Sequence, residues 1–236
     1  MIAALFAITL ACVIWSLYTR RVTWRCFGET GITLSLALQG MGLFLMTPAA
    51  AGLGRFLHAL TGVWNLQDYA GHVCFLAAVS AVAYHVCWRV DNEIAHSFKI
   101  AVEIPGTITA AVMFVLLVIG HGGHVCSPYF FEIPLDLPLR LYWTLFCMMM
   151  IWIMLYAGRA MLVLRMCHRS RPVINIYLLA AAAGILAAIL AIATVLTHRQ
   201  LLGINVFLAC APTVVVAFGA GYSWMRKTQW LSTGKG

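Results

Sequence analysis

The sequence predicts an all-α membrane protein: a bundle of seven transmembrane helices with its N-terminus outside and its C-terminus in the cytoplasm. Three observations lead to this fold class. The 236 residues are 63% hydrophobic and only 9% charged, whereas a soluble domain has about 25% charged residues. The apolar residues form seven stretches, each close to the ~20 residues that a helix needs to cross a bilayer. The basic residues fall mainly in alternate connectors, which is typical of cytoplasmic loops.

Seven spans leave only about 100 residues for loops, so we expect a single domain over residues 1–236. The first apolar run has no basic segment before it, and Arg20 and Arg21 follow it, which favours an uncleaved span over a signal peptide. The predicted spans are 2–18, 31–51, 70–90, 106–124, 139–165, 173–197 and 203–225.

Amphipathic segments precede the third and fourth spans. Leu53, Phe56 and Leu60 recur at helical spacing, which predicts a short helix near 52–62 on the outer interface. Apolar residues also share one side of 92–103, and Pro105 follows. This pattern predicts a second interfacial helix, on the inner face, that Pro105 closes.

The connectors and spans of the second half differ in character. Three prolines make the connector 125–138 irregular and stiff. The fifth span is long enough to tilt, the sixth is rich in alanine, and Pro212 predicts a kink in the seventh.

The basic residues predict the orientation. Twelve of the 15 Lys and Arg residues lie in the predicted inner segments, and Arg55, Arg140 and Arg199 lie in the outer ones. Short loops rich in Lys and Arg stay in the cytoplasm. The net charge of +8 therefore reflects topology and contacts with anionic lipid heads, and we expect no nucleic-acid partner.

Histidines at the predicted outer face are candidate metal ligands. His72 begins the third span, and His121 and His124 end the fourth, one helical turn apart. Imidazole groups at one depth suit a transition metal such as zinc or copper. Histidines at an interface also bond simply to carbonyls or water, so this second interpretation stays open. One haem between His72 and His121 is a further alternative. An inner haem is not expected, since His85 lacks a histidine partner there.

Catalytic signatures are absent from the sequence. It contains no GxSxG, no HExxH and no phosphate-binding loop. Its eight cysteines include no CxxC pair, so they do not form a disulfide framework. We therefore expect no enzymatic activity.

The segment TGVWNLQDYAGHV at 61–73, with seven spans and basic inner loops, resembles a group of actinobacterial and actinophage membrane proteins. These are often labelled only as transporters or as integral membrane proteins of unknown function. Trp64 stands where the group has proline. The resemblance implies a bacterial plasma-membrane location and supplies no mechanism. The matching residues are Thr61, Gly62, Val63, Asn65, Leu66 and His72.

We expect a non-enzymatic multi-pass membrane protein that acts by binding, in sensing, signalling or an immunity-type interaction between phage and host. Its expected partners are the lipid bilayer and either another membrane protein or a second copy. Two alternatives stay open: a small-molecule or ion transporter, and a metal- or haem-binding redox protein. The predicted binding surface on the outer face consists of Arg55, His58, Trp64, Asn65 and Asp68.

Overall fold

A computed structural model describes residues 2–90, 97–168, 170–197 and 202–232, and this part of the chain consists of helices and their connectors, without strands. A π-helical turn, Lys99–Glu103, leads directly into the fifth helix. The helices are α1 (Ile2–Thr19), α2 (Phe27–Leu45), α3 (Ala51–Thr61), α4 (Leu66–Val90), α5 (Ile104–Ile119), α6 (Leu137–Leu164), α7 (Arg171–Thr197) and α8 (Leu202–Ser232).

Several of these helices have the length and apolar character of membrane spans. Among the described residues, five qualify individually, or six if Gly28–Leu45 and Pro48–Thr61, bent by 76°, form one broken span. The prediction of an all-α fold with helices able to cross a membrane is therefore confirmed. The count of seven spans and the direction of insertion stay predictions.

Six helices form a closed ring. In ring order α1 packs against α2, α2 against α4, α4 against α6, α6 against α7, α7 against α8, and α8 returns to α1. Short connectors place sequential helices side by side, but the contact of α1 with α8 joins the two ends of the chain. The helix α5 lies outside the ring, mainly against α6.

The pair α2 and α4 is the closest in the ring, because glycines occupy its contact line. A Cβ on Gly42 would lie 2.8 Å from the Gly71 carbonyl oxygen, and one on Gly31 would lie 2.9 Å from His85 Cβ. Small residues let membrane helices approach this closely. The contact fixes the outer part of α4, where His72 lies.

A helix is present near 52–62 as α3, which ends at the left-handed Gly62 (φ 75°), and its place at the membrane interface stays a prediction. The second one, at 92–103, lies partly outside the described residues, and its predicted end is wrong. The helix is continuous from Lys99–Glu103 through Pro105 to Ile119. Pro105 is tolerated because it occupies the first turn after the π-helical segment.

One end of the ring is closed by an ion-pair cluster. Glu29 Oε2 accepts from the buried Arg20 at 3.0 Å, and Glu29 Oε1 accepts from Arg89 at 3.1 Å and from Lys227 at 3.0 Å. The cluster gathers the C-terminal ends of α1, α4 and α8 at the beginning of α2. The helices α1, α4 and α8 therefore run in one direction and α2 in the opposite one, so that the neighbours α8 and α1 are parallel.

Candidate functional site

A cavity of about 240 Å³ lies inside the ring, and all six ring helices contribute to its wall. The wall is almost entirely apolar. Residues such as Phe6 on α1, Leu43 on α2 and Val79 on α4 face side chains of α6, α7 and α8 across it. An apolar cavity with few polar groups is the usual form of a small-molecule site.

Small residues of α7 line one side of the cavity, and long side chains of α6 line another. A Cβ on Gly184 would lie 2.6 Å from Met154 Sδ, so glycine leaves room for the methionine. Alanines extend the small face along the helix, and none of them reaches far enough to fill the interior. The small wall residues of α7 are Ala180, Ala181, Gly184, Ala187, Ala188 and Ala191.

Among the described residues that line the cavity, His72 is the only histidine, and it is 1% exposed. Its Nδ1 lies 2.7 Å from the Tyr142 hydroxyl. The ring packs against Trp143 at 4.8 Å and Phe146 at 4.9 Å between centroids. Its Nε2 is buried and has no hydrogen-bond partner among the described residues.

Besides that of His72, polar side chains of α2, α7 and α8 reach the wall, namely those of Gln39, Thr194 and Thr213. Gln39 Nε2 donates to Ser35 Oγ at 3.0 Å, so its amide is held in one orientation. Thr213 lies on α8, next to Pro212. The polar groups are thus few and fixed, as in sites that orient an apolar ligand.

The connector 125–138 folds over one end of the cavity. Phe130 and Ile133 are each 1% exposed, and Phe131 and Leu135 contribute to the cavity wall. Phe130 packs against the His72 ring, with 5.6 Å between ring centroids. The connector is therefore an ordered cover, although the sequence predicted only that it is irregular and stiff.

Two polar anchors hold the cover in place. Asp136 accepts from the backbone N–H groups of His121 at 2.8 Å and of Leu139 at 3.0 Å, so it caps α6. Asn65 Nδ2 donates to the carbonyls of Gly122 at 2.7 Å and Val125 at 2.8 Å. The segments 61–73 and 121–125, distinctive in the sequence, therefore bind each other.

The predicted outer binding surface is only partly exposed. Arg55 is exposed, and His58 stacks on Trp64 with 3.7 Å between ring centroids. Asn65 and Asp68 are 2% and 4% exposed, so their assignment to a surface is wrong. Asn65 holds the cover, and Asp68 accepts from Gln67 Nε2 at 2.9 Å.

The structure does not bring the three candidate metal ligands into one ligand set. His72 is enclosed by aromatic rings, whereas His121 and His124 are exposed. His121 Nδ1 lies 4.0 Å from Asp136 Oδ2. In the parts of the chain that the structure describes, no group of three or more His, Cys, Asp or Glu residues could hold a metal ion. The metal site stays a prediction, and the geometry gives His72 a different role.

Sequence reasoning missed Tyr142, and it did not identify the small face of α7 as a cavity wall. A signal for the cavity was present, since small residues recur every three or four positions from Ala180 to Ala191. That spacing also occurs where helices pack closely. The spacing on α7 alone therefore does not show whether the facing helix packs closely or leaves a cavity, because that depends on the side chains of α6 that lie opposite.

Comparison of the chain with protein-family models, curated proteins and solved structures found no match. The geometry of the cavity is therefore the basis for a functional conclusion. It offers an apolar volume inside the ring, an aromatic cover and one imidazole nitrogen without a hydrogen-bond partner among the described residues.

Proposed function

We propose that this chain is a non-enzymatic membrane protein that binds one small apolar molecule inside its helix ring, and that binding serves sensing or signalling. The observation that carries the proposal is the apolar cavity inside the helix ring, with the buried, unpartnered Nε2 of His72 in its wall. A ligand that fills the cavity and bonds to this nitrogen would satisfy both features.

The size of the cavity supports this function. Its volume of about 240 Å³ exceeds the ~150 Å³ of an engineered apolar cavity that binds benzene. It approaches the lower end of the ~300–1,000 Å³ typical of small-molecule sites. A buried polar atom without a partner also costs about 1–3 kcal/mol, which a ligand group would recover. The apolar wall does not favour an ion path.

The orientation in the membrane is part of the proposal. We place seven spans in a bacterial plasma membrane, with the aromatic cover outside and the Glu29 cluster at the cytoplasmic face. The gathering of Arg20, Arg89 and Lys227 at one end of the ring supports it. In intact cells a membrane-impermeant maleimide should label Cys126 and spare Cys26; the reverse pattern would invert the orientation.

Filling the cavity tests the proposed function. Ala181 belongs to the wall of the cavity, whereas its neighbour Ala182 is exposed on the outside of the ring. In lipid nanodiscs, excess n-tridecane should raise the Tm of the wild type, because a ligand that binds the folded state stabilises it. Ala181→Leu should abolish this shift, and the matched control Ala182→Leu should keep it.

The thermal shift has two outcomes that would contradict the proposal. Absence of a shift in the wild type would mean that the cavity takes no apolar molecule. Equal shifts in the wild type and in Ala181→Leu would place the binding site elsewhere.

A further inference from the structure

The cavity is long and narrow. Its wall on α6 extends from Trp143 to Met161, and its wall on α7 from Tyr177 to Val195. At 1.5 Å per residue each stretch covers about 27 Å, close to the ~30 Å hydrocarbon core of a bilayer. A volume of about 240 Å³ over this length fits an extended chain and not a fused ring system.

The wall requires an uncharged ligand. Among the described wall residues there is no Asp, Glu, Lys or Arg. An ionised group brought into such surroundings would lose its hydration without gaining a partner, which is strongly unfavourable. An anionic or cationic headgroup therefore does not fit inside the ring.

The hydrogen bond between His72 and Tyr142 determines which group the ligand needs. The phenol has one proton to donate, and the imidazole Nδ1 is the hydrogen-bond partner of its hydroxyl in the described structure. If Nδ1 carried the proton instead, the phenolic proton would have no acceptor. The neutral ring therefore carries its proton on Nε2, and Nε2 is a donor without an acceptor.

The position of His72 gives the ligand a direction. Its ring lies beneath Phe130 of the aromatic cover, at the end of the cavity that the connector 125–138 closes. The opposite end is lined by Ala157, Met161 and Tyr177. Methionine side chains adapt to chains of different shape, so this end suits an apolar tail.

We infer that the ligand is an extended, uncharged apolar chain with one carbonyl-type hydrogen-bond acceptor at its head. The head accepts from His72 Nε2 beneath the aromatic cover, and the tail extends toward Met161. This inference rests on the proposed function and names its ligand class. Free ketones, quinones and neutral lipid esters share this chemistry.

Matched probes test the ligand class on the full chain in nanodiscs. Methyl undecyl ketone and n-tridecane have equal numbers of carbon atoms, and only the ketone carries an acceptor. The wild type should bind the ketone about five- to tenfold more tightly, as expected for one net hydrogen bond. His72→Phe should bind both probes equally, and His72→Gln, which keeps a donor, should retain part of the preference.

A second variant tests the assigned proton position without removing the imidazole. Tyr142→Phe leaves Nδ1 free, so the proton is no longer restricted to Nε2. Tridecanol can donate a hydrogen bond to an unprotonated Nε2, whereas methyl undecyl ketone can only accept one. The preference for the ketone over tridecanol should therefore be smaller in Tyr142→Phe than in the wild type. An unchanged preference would overturn the role of Tyr142.

The outcomes separate this inference from the proposed function. Equal binding of ketone and alkane by the wild type would overturn the ligand class while leaving the cavity a binding site. If neither the ketone nor the alkane binds to the wild type, both proposals are overturned. Mass spectrometry of the organic extract of the purified protein should find a carbonyl compound and distinguish esters from ketones or quinones. An extract containing only hydrocarbons or charged lipids would contradict the inference.

Discussion

Asn65 shows how one residue joins two parts of the end of the molecule where the connector 125–138 lies. Its backbone is left-handed, with φ of 58°, and its side-chain amide donates to the carbonyls of Gly122 and Val125. Asparagine is one of the few residues that adopt this conformation readily. The sequence singled out the residue but placed it on a surface, because periodicity does not show which polar side chains a later loop covers.

Replacing Asn65 separates its two contributions. Asn65→Gly keeps the backbone conformation and loses both hydrogen bonds, so the free energy of unfolding should fall by about 1–3 kcal/mol. Asn65→Ala should lose about 1 kcal/mol more, because alanine is strained at positive φ. Unfolding by SDS, followed by circular dichroism, measures both values. Equal losses in the two variants would show that the left-handed conformation is not retained.

At the scale of elements, Pro105 and Trp152 explain why α5 docks on α6. Proline has no N–H to donate to the Ala101 carbonyl, four residues earlier. Trp152 Nε1 of α6 donates to that carbonyl at 2.6 Å. The sequence predicted a break at Pro105 because the residue that compensates for it lies on another helix.

A double-mutant cycle tests this compensation. Trp152→Phe should reduce the free energy of unfolding in the wild type, since it leaves the Ala101 carbonyl without its indole donor. In the Pro105→Ala background the restored backbone N–H should lessen that loss by about 0.5–1.5 kcal/mol. If Trp152→Phe costs the same in both backgrounds, the indole is not compensating for the proline.

The boundaries of two long helices followed from local sequence, whereas the predicted span 31–51 is a helix that ends at Leu45, before the turn at Pro48. Predictions of 2–18 and 173–197 correspond to Ile2–Thr19 and Arg171–Thr197, because runs of apolar residues and the polar connectors between them are local properties. The small face of α7 was also visible. Its meaning as one wall of a cavity was not, because that depends on which helix lies opposite.

At the scale of the whole molecule, Glu29 joins three helices that the connectors do not hold together. Arg20 is only 1% exposed, and it also donates to the carbonyl of Ala220 at 3.0 Å. The sequence placed Arg20 in a basic connector and did not predict its burial. Arg20 is buried because α1 packs against α8, which is distant in the sequence. No local sequence pattern predicts such a contact.

Neutralising Glu29 should destabilise the ring. Glu29→Gln leaves the buried Arg20 charge without its counterion, so the free energy of unfolding should fall by about 3 kcal/mol or more. Lys227 is 51% exposed, and the matched control Lys227→Gln should cost about 0–1 kcal/mol. SDS titration of both variants provides the comparison, and a similar small loss in each would show that Arg20 does not depend on Glu29.

The small residues along α7 also have a consequence for the turnover of the protein in the cell. A cavity of about 240 Å³, left empty, would forgo on the order of 6 kcal/mol at ~24 cal/mol per Å³. That is a large part of the ~5–15 kcal/mol by which proteins are stable. Chains synthesised when the ligand is scarce would therefore be the first that proteases remove. If the proposed function holds, the steady-state amount of this protein would then follow the supply of its ligand.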